Sequence, residues 1–148
     1  MTVTVTEEIN APAAAVWNLV TDIDRWTDRI SGIVSVEVVE RPASGIVGLK
    51  WREKRILFGK EAVETMWISA AEPQHWYETT AINHGAVYST RISLEEKNDR
   101  VSLTATFCTK PTTIGAKLMS VFAFLFNGTM RKLLQQDLRD IRTAVESN

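Results

Sequence analysis

Apolar and polar residues alternate along Thr2 to Ile9, and β-branched side chains dominate there, which predicts a strand. The period then changes. Val16, Trp17, Leu19 and Val20 share one helical face behind Ala11-Pro12, where a proline near the first turn suits a helix start. A second short helical piece is predicted over 22–30, with Asp22 or Asp24 as its cap. From Ile33 to Thr109 the pattern predicts six strands: 33–41, 46–57, 60–70, 75–83, 86–97 and 100–109. Between them lie Pro42-Ala-Ser-Gly45, Phe58-Gly59, Ala71-Glu-Pro-Gln74, His84-Gly85 and Asn98-Asp99, all of them turn chemistries. Pro111 is expected to block the last strand, and Thr112 or Thr113 to cap a helix running to about Glu146. The order β-α-α-β6-α predicts one α+β domain over 1–148, without repeats or linkers.

The turns imply registers. A two-residue Phe58-Gly59 turn sets Leu49 against Ile68, Trp51 against Met66 and Glu53 against Glu64. His84-Gly85 sets Tyr77 against Ile92, Thr79 against Thr90 and Ala81 against Tyr88. Asn98-Asp99 sets Leu94 against Leu103, Ile92 against Ala105 and Thr90 against Phe107. The Glu-Pro turn, taken as four residues, joins Ile68 to Tyr77 and Met66 to Thr79. One face then reads in rows: Leu49, Ile68, Tyr77, Ile92, Ala105; Trp51, Met66, Thr79, Thr90, Phe107; Glu53, Glu64, Ala81, Tyr88, Thr109. That face is apolar at one end and polar toward the hairpin tips. The other face carries Lys50, Arg52, Lys54, Glu78 and Arg91, with Glu78 opposite Arg91, as a solvated face does.

The final helix agrees. Met130, Leu134, Leu138, Ile141 and Val145 form one stripe, which continues backwards as Ala116, Ser120, Ala123 and Asn127. Large side chains fill space and small ones leave it, so the second half is expected to seal a core and the first half to roof a cavity. Gly128 at the junction is a place for a bend. The sheet should therefore curve around this helix and enclose an apolar cavity. Leu118, Val121 and Leu125 fall on the far side of the helix, flanked by Phe122 and Phe124. An exposed stripe of this kind marks a homodimer contact, a transient membrane contact or a ligand entrance, unless the helix turns it inward.

Composition narrows the function classes. The chain has 45% hydrophobic and 24% charged residues, a globular balance. A net charge of −1 and no basic domain give no attraction for nucleic acid. Lys50, Arg52 and Lys54 form a basic stripe that reads as a solvated strand face. The lone Cys108 excludes an internal disulfide and falls on the outer face. The start of the chain lacks a signal-peptide pattern, and the nearly apolar run Met119 to Phe126 is far shorter than the roughly 20 residues a spanning helix needs. A cytoplasmic location is expected.

The order of elements, with Ile9-Asn-Ala-Pro12, Val16-Trp17, Asp22, Asp24-Arg-Trp26, Gly45, Gly48, Trp51-Arg-Glu-Lys-Arg55, Gly59-Lys60, Glu72-Pro73, Asp137-Leu138 and Glu146, resembles the START-like helix-grip superfamily (SRPBCC), in its bacterial polyketide cyclase/dehydrase and lipid transport branch. The resemblance covers nearly the whole chain, though Thr27 stands after Trp26 where a proline is common. It implies a seven-stranded antiparallel sheet gripping the C-terminal helix around a cavity for a lipid-, polyketide- or quinone-like ligand. It carries over no catalytic residue set and implies no cofactor.

Among the residues themselves, Glu53 and Glu64 are the suggestive pair. Facing carboxylates on a half-buried surface raise one another's pKa and make acid/base chemistry possible; strand ends twisted into water would leave them inert. Arg55 lies on the same side, where it either orients a ligand or neutralises them. Trp51, Met66, Thr79, Tyr88, Thr90, Phe107, Ala123, Asn127 and Met130 are the expected pocket lining, or plain core. His75 is expected on the inner face at the closed end and His84 at a turn tip; two separated histidines make no metal site. Three readings follow: a binding or carrier protein for a small hydrophobic molecule, a cyclase/dehydrase-like enzyme working through Glu53 or Glu64, and an interaction module using Leu118, Val121 and Leu125.

Overall fold

The computed structural model describes residues 2–57, 59–83, 85–115 and 127–147. Seven antiparallel strands form one sheet in the order β1-β7-β6-β5-β4-β3-β2. They are β1 (Thr2–Ile9), β2 (Ile33–Glu40), β3 (Lys50–Leu57), β4 (Lys60–Glu72), β5 (Trp76–Asn83), β6 (Ala86–Lys97) and β7 (Arg100–Pro111). Helix α1 (Ala13–Val20), a single 3-10 turn (Ile23–Arg25) and α2 (Trp26–Arg29) join the two edge strands, and α3 (Asn127–Glu146) crosses the sheet's inner face. Among the described residues, no helix is long and apolar enough to cross a membrane.

The tight turns do what their chemistry dictates. Asn98 and Asp99 both adopt positive φ (53° and 62°), the geometry that matches strand twist, and β6–β7 pair as expected from Lys97–Arg100 down to Leu94–Leu103 and Thr90–Phe107. Gly59 and Gly85 also take positive φ, and the β3–β4 and β5–β6 registers follow: Trp51 opposite Met66, Glu53 opposite Glu64, Tyr77 opposite Ile92, Ala81 opposite Tyr88.

The β4–β5 register departs from expectation. Strand β4 continues through Ala71 and Glu72, and the connection is Pro73-Gln74-His75, with Gln74 at φ 71°. Tyr77 therefore pairs with Ala71, and a bulge at Ser69 brings Ile68 opposite Thr79. The bulge restores the alternation, so every predicted inner residue stays inside, but the rows slide by two residues across β4–β5. Tyr88 shares a row with Trp51 and Met66, and Asn83 takes the place beside Glu64. His75 is exposed in the turn, not a core histidine; its backbone accepts from Leu94 N at 2.8 Å. Strand β7 runs two residues further than expected and ends at Pro111, whose missing N–H falls on its last residue, and β3 begins only at Lys50. Asp22 stands at the 3-10 turn's start without capping it by its side chain, which meets Arg29 at 3.5 Å.

The core lies between the sheet and α1–α3. Ile9, Val16, Val20, Ile23, Trp51, Ile68, Tyr77, Val101, Leu103 and Leu138 are almost fully buried, with Ile141 and Val145 close behind. The second half of the last helix thus seals the core as its stripe predicts. Tyr77 Oη donates to Val20 O at 2.9 Å, anchoring α1 to the sheet. The outer face is polar as expected: Arg91 pairs with Glu78 at 3.1 Å and lies over the Trp76 ring at 4.0 Å, and Cys108 faces Thr2 Oγ1 there at 3.2 Å.

Candidate functional site

Residues 51, 53 and 55 of β3, 64 and 66 of β4, 79 of β5, 88 and 90 of β6 and 107 of β7 all point to the concave face, because alternation and the registers agree. Their burial is graded. Toward the closed end Ile68, Tyr77, Leu103 and Ala105 are buried against Leu138 and Ile141. Toward the hairpin tips Met66, Thr90, Tyr88 and Phe107 are only half-buried, as is Met130 at the start of α3, while Thr79 is buried. Tyr88 and Phe107 stack with centroids 6.1 Å apart. Asn127 opens α3, whereas Ala123, His84 and the Leu118, Val121 and Leu125 stripe lie outside the described residues.

A charged cluster closes one wall. Glu53 is only 6% exposed. Arg55 Nε donates to Glu53 Oε2 at 3.2 Å, and its NH1 donates to Asp137 Oδ1 and Oδ2 at 3.1 and 2.9 Å. Trp51 Nε1 approaches Glu53 Oε1 at 3.5 Å, and Trp26 stands edge-on to Trp51 with centroids 5.7 Å apart. Among the described residues Trp26 Nε1 has no hydrogen-bond partner. Gly32 gives the pair room: a Cβ there would lie 3.2 Å from Arg55 NH1. Next to it Ser31 N and Oγ donate to Asp140 Oδ2 at 2.8 and 2.7 Å, so the loop before β2 is fastened to α3.

These contacts set the electrostatics. Burial, then the charges of Glu53 and Asp140, push the Asp137 carboxyl up to about 6, although Arg55 pulls it down. Burial alone would lower the Arg55 guanidinium, but Asp137 and Glu53 more than compensate and hold it above its ordinary value. Two carboxylates thus share one cation. Glu64, directly opposite Glu53, is half-buried and accepts from Asn83 Nδ2 at 2.8 Å. Burial, and then Glu64, raises the Tyr88 phenol. Among the described residues no group of three or more His, Cys, Asp or Glu side chains is placed to hold a metal ion.

The inward-facing strand residues were legible as a face. Asp137 and Asn83 were not recognised as site residues. Asp137 lies beside the helix's apolar stripe, next to Leu138, and a charge abutting a buried stripe is the signal that could have found it. Asn83 was hidden by the slipped register.

Comparison with known proteins agrees with this architecture. The sequence profile of the family described as polyketide cyclase / dehydrase and lipid transport matches residues 1–146. No curated protein matches the chain. Among solved structures, a protein from Thermus thermophilus is similar with TM-score 0.78 and 15% identity, covering 99% of this chain and 98% of its own. A START superfamily protein from Mycobacterium smegmatis has TM-score 0.76 and 15% identity over 99% and 97% of the two chains. The Zhui aromatase/cyclase from Streptomyces sp. R1128 has TM-score 0.75 and 17% identity over 99% and 93%. At these identities the likeness is one of fold.

Proposed function

Because the chain belongs to the polyketide cyclase / dehydrase and lipid transport family, we propose that it binds a small hydrophobic molecule on the concave face of the sheet and carries it without altering it. The observation that carries this reading is the graded burial of that face. A sealed apolar end passes into half-buried Met66, Thr90, Phe107 and Met130, and then into a wall of Glu53, Arg55, Glu64 and Tyr88. Apolar burial supplies affinity and a few fixed polar groups supply orientation. Arg55 is the natural anchor. Its Nε and NH1 are held by Glu53 and Asp137, whereas its NH2 makes no hydrogen bond among the described residues and is left for a ligand oxygen. Trp51 and Thr79, both buried, back the inner end of the proposed lining, whereas Ala123 and the Asn127 side chain lie outside the described residues.

Native mass spectrometry of freshly purified protein tests the reading. A discrete adduct lost on denaturation is expected, and Thr90→Trp, which fills the space between Thr79 and Phe107, should remove it. A clean apo mass together with no uptake of the apolar dye 1-anilinonaphthalene-8-sulfonate would count against it.

One observation favours catalysis as a second reading. Glu64 faces Glu53 across β3–β4 and, among the described residues, is hydrogen-bonded by the Asn83 amide alone, which makes it the carboxylate this reading would use as acid or base. Glu64→Gln separates the readings. A carrier keeps its adduct unchanged, whereas an enzyme keeps binding but accumulates unconverted substrate mass.

A further inference from the structure

The wall around Arg55 is charged out of balance. Glu53, Asp137 and Glu64 bring three carboxylates to the concave face, and among the described residues Arg55 is the one cation set among them. Lys60 alternates onto the same face, but it is exposed at the hairpin tip beyond Leu57. The side chains of Arg55 and Asp137 are only 18% and 19% exposed and Glu53 is buried, so water and salt screen the imbalance poorly. One guanidinium neutralises one carboxylate, and a second carboxylate taken from water beside it stays uncompensated. Packing does not require that surplus. It acts on whatever binds next to Arg55.

The hydrogen bonds decide what such a wall receives. Both Asp137 oxygens accept from Arg55 NH1, at 3.1 and 2.9 Å. Glu53 Oε2 accepts from Arg55 Nε at 3.2 Å, and its Oε1 faces Trp51 Nε1 at 3.5 Å. The guanidinium is planar and its other two nitrogens are held, so NH2 is fixed in direction. A ligand oxygen on NH2 is a neighbour of both carboxylates. If that oxygen carries a full negative charge, it gains one cation and meets two anions at similar range, with Glu64 as a third across β3–β4. An uncharged carbonyl or hydroxyl oxygen takes the same hydrogen bond without that repulsion. A ligand ammonium does no better, because NH2 is itself cationic and the carboxylates beside it have their oxygens engaged. Glu64 keeps acceptor capacity beyond the Asn83 amide, which suits a ligand hydroxyl. We infer that Glu53 and Asp137 determine specificity as a charge filter: the concave face takes ligands whose polar end is an uncharged carbonyl or hydroxyl in preference to carboxylates and sulfonates of the same size. The filter rests on the carriage of a hydrophobic ligand proposed above, and it names the class of ligand carried.

Two dyes with one chromophore test this. N-phenyl-1-naphthylamine is uncharged, whereas 1-anilinonaphthalene-8-sulfonate adds a permanent negative charge. Fluorescence titration of the full chain gives both dissociation constants, and their ratio is the readout. General loosening of the site moves both dyes alike; a change of charge moves the ratio. Asp137→Asn and Glu53→Gln each remove one negative charge at nearly constant shape. At about pH 8 each should improve binding of the sulfonate relative to the neutral dye about tenfold. Acidification should do the same in wild type. Asp137, which faces Glu53 and Arg55 of β3 and Asp140 of its own helix, is pushed up to about 6, chiefly by burial. It therefore loses its charge between about pH 8 and about pH 5, so the ratio should shift toward the sulfonate over that range, and Asp137→Asn should lose most of the shift. If both dyes bind and neither folded variant moves the ratio, the charge filter is overturned and the carrier reading stands. If wild type takes up neither dye, both fall together.

Discussion

Asp137→Asn tests the electrostatics of the Glu53–Arg55–Asp137 cluster. Arg55 NH1 lies 2.9 Å from Asp137 Oδ2, so loss of an ion pair suggests loss of stability. The balance of terms says otherwise. Burial first, then Glu53 and Asp140, raise this carboxyl from 3.8 to about 6 in the folded protein despite Arg55. Between about pH 4 and about pH 6 the native state therefore binds more protons here than the unfolded chain does. The stability this group contributes is fully present below about pH 4 and is lost as pH rises through about 6. At ~1.4 kcal/mol per pKa unit, the loss amounts to about 3 kcal/mol. Asparagine has nearly the same shape and stays neutral. Relative to wild type, the variant should gain stability as pH rises, by up to about 3 kcal/mol, less a pH-independent cost for turning an amide toward Arg55. Urea unfolding followed by tryptophan fluorescence at a series of pH values measures this. Parallel pH profiles for the two proteins, or a difference that moves against the variant as pH rises, would refute the reasoning. Arg55→Met is the contrasting change. It removes the cation that both carboxylates share, and breaking a buried pair from one side costs about 3–5 kcal/mol.

Two further predictions concern the frame that holds the site. Leu138→Ala empties a position that is 1% exposed between α3 and the sheet and should cost ~2–5 kcal/mol in chemical unfolding; a cost under about 1 kcal/mol would mean the helix does not seal the core. Tyr77→Phe removes the donor to Val20 O and should cost ~1–2 kcal/mol, read as a lower Tm, and an unchanged Tm would show that water replaces the hydroxyl.

Much of this protein is local and so can be read from its residues. Glycine or asparagine at a two-residue turn dictates strand twist and pairing, which placed Glu53 opposite Glu64 and Thr90 opposite Phe107. Alternation then assigned each side chain to a face, and the spacing of Leu134, Leu138, Ile141 and Val145 oriented the last helix. Tertiary structure decided what local rules leave open. The Ser69 bulge and the Pro73-Gln74-His75 turn shifted β4 against β5, because a longer turn has several closures and the packing of Ile68 and Tyr77 selects one. That shift put Asn83, not Ala81, beside Glu64. The pairing of Arg55 with Asp137 spans 82 positions and depends on where α3 docks. The raised pKa of Asp137 follows from the burial which that docking imposes, a property no stretch of chain carries alone.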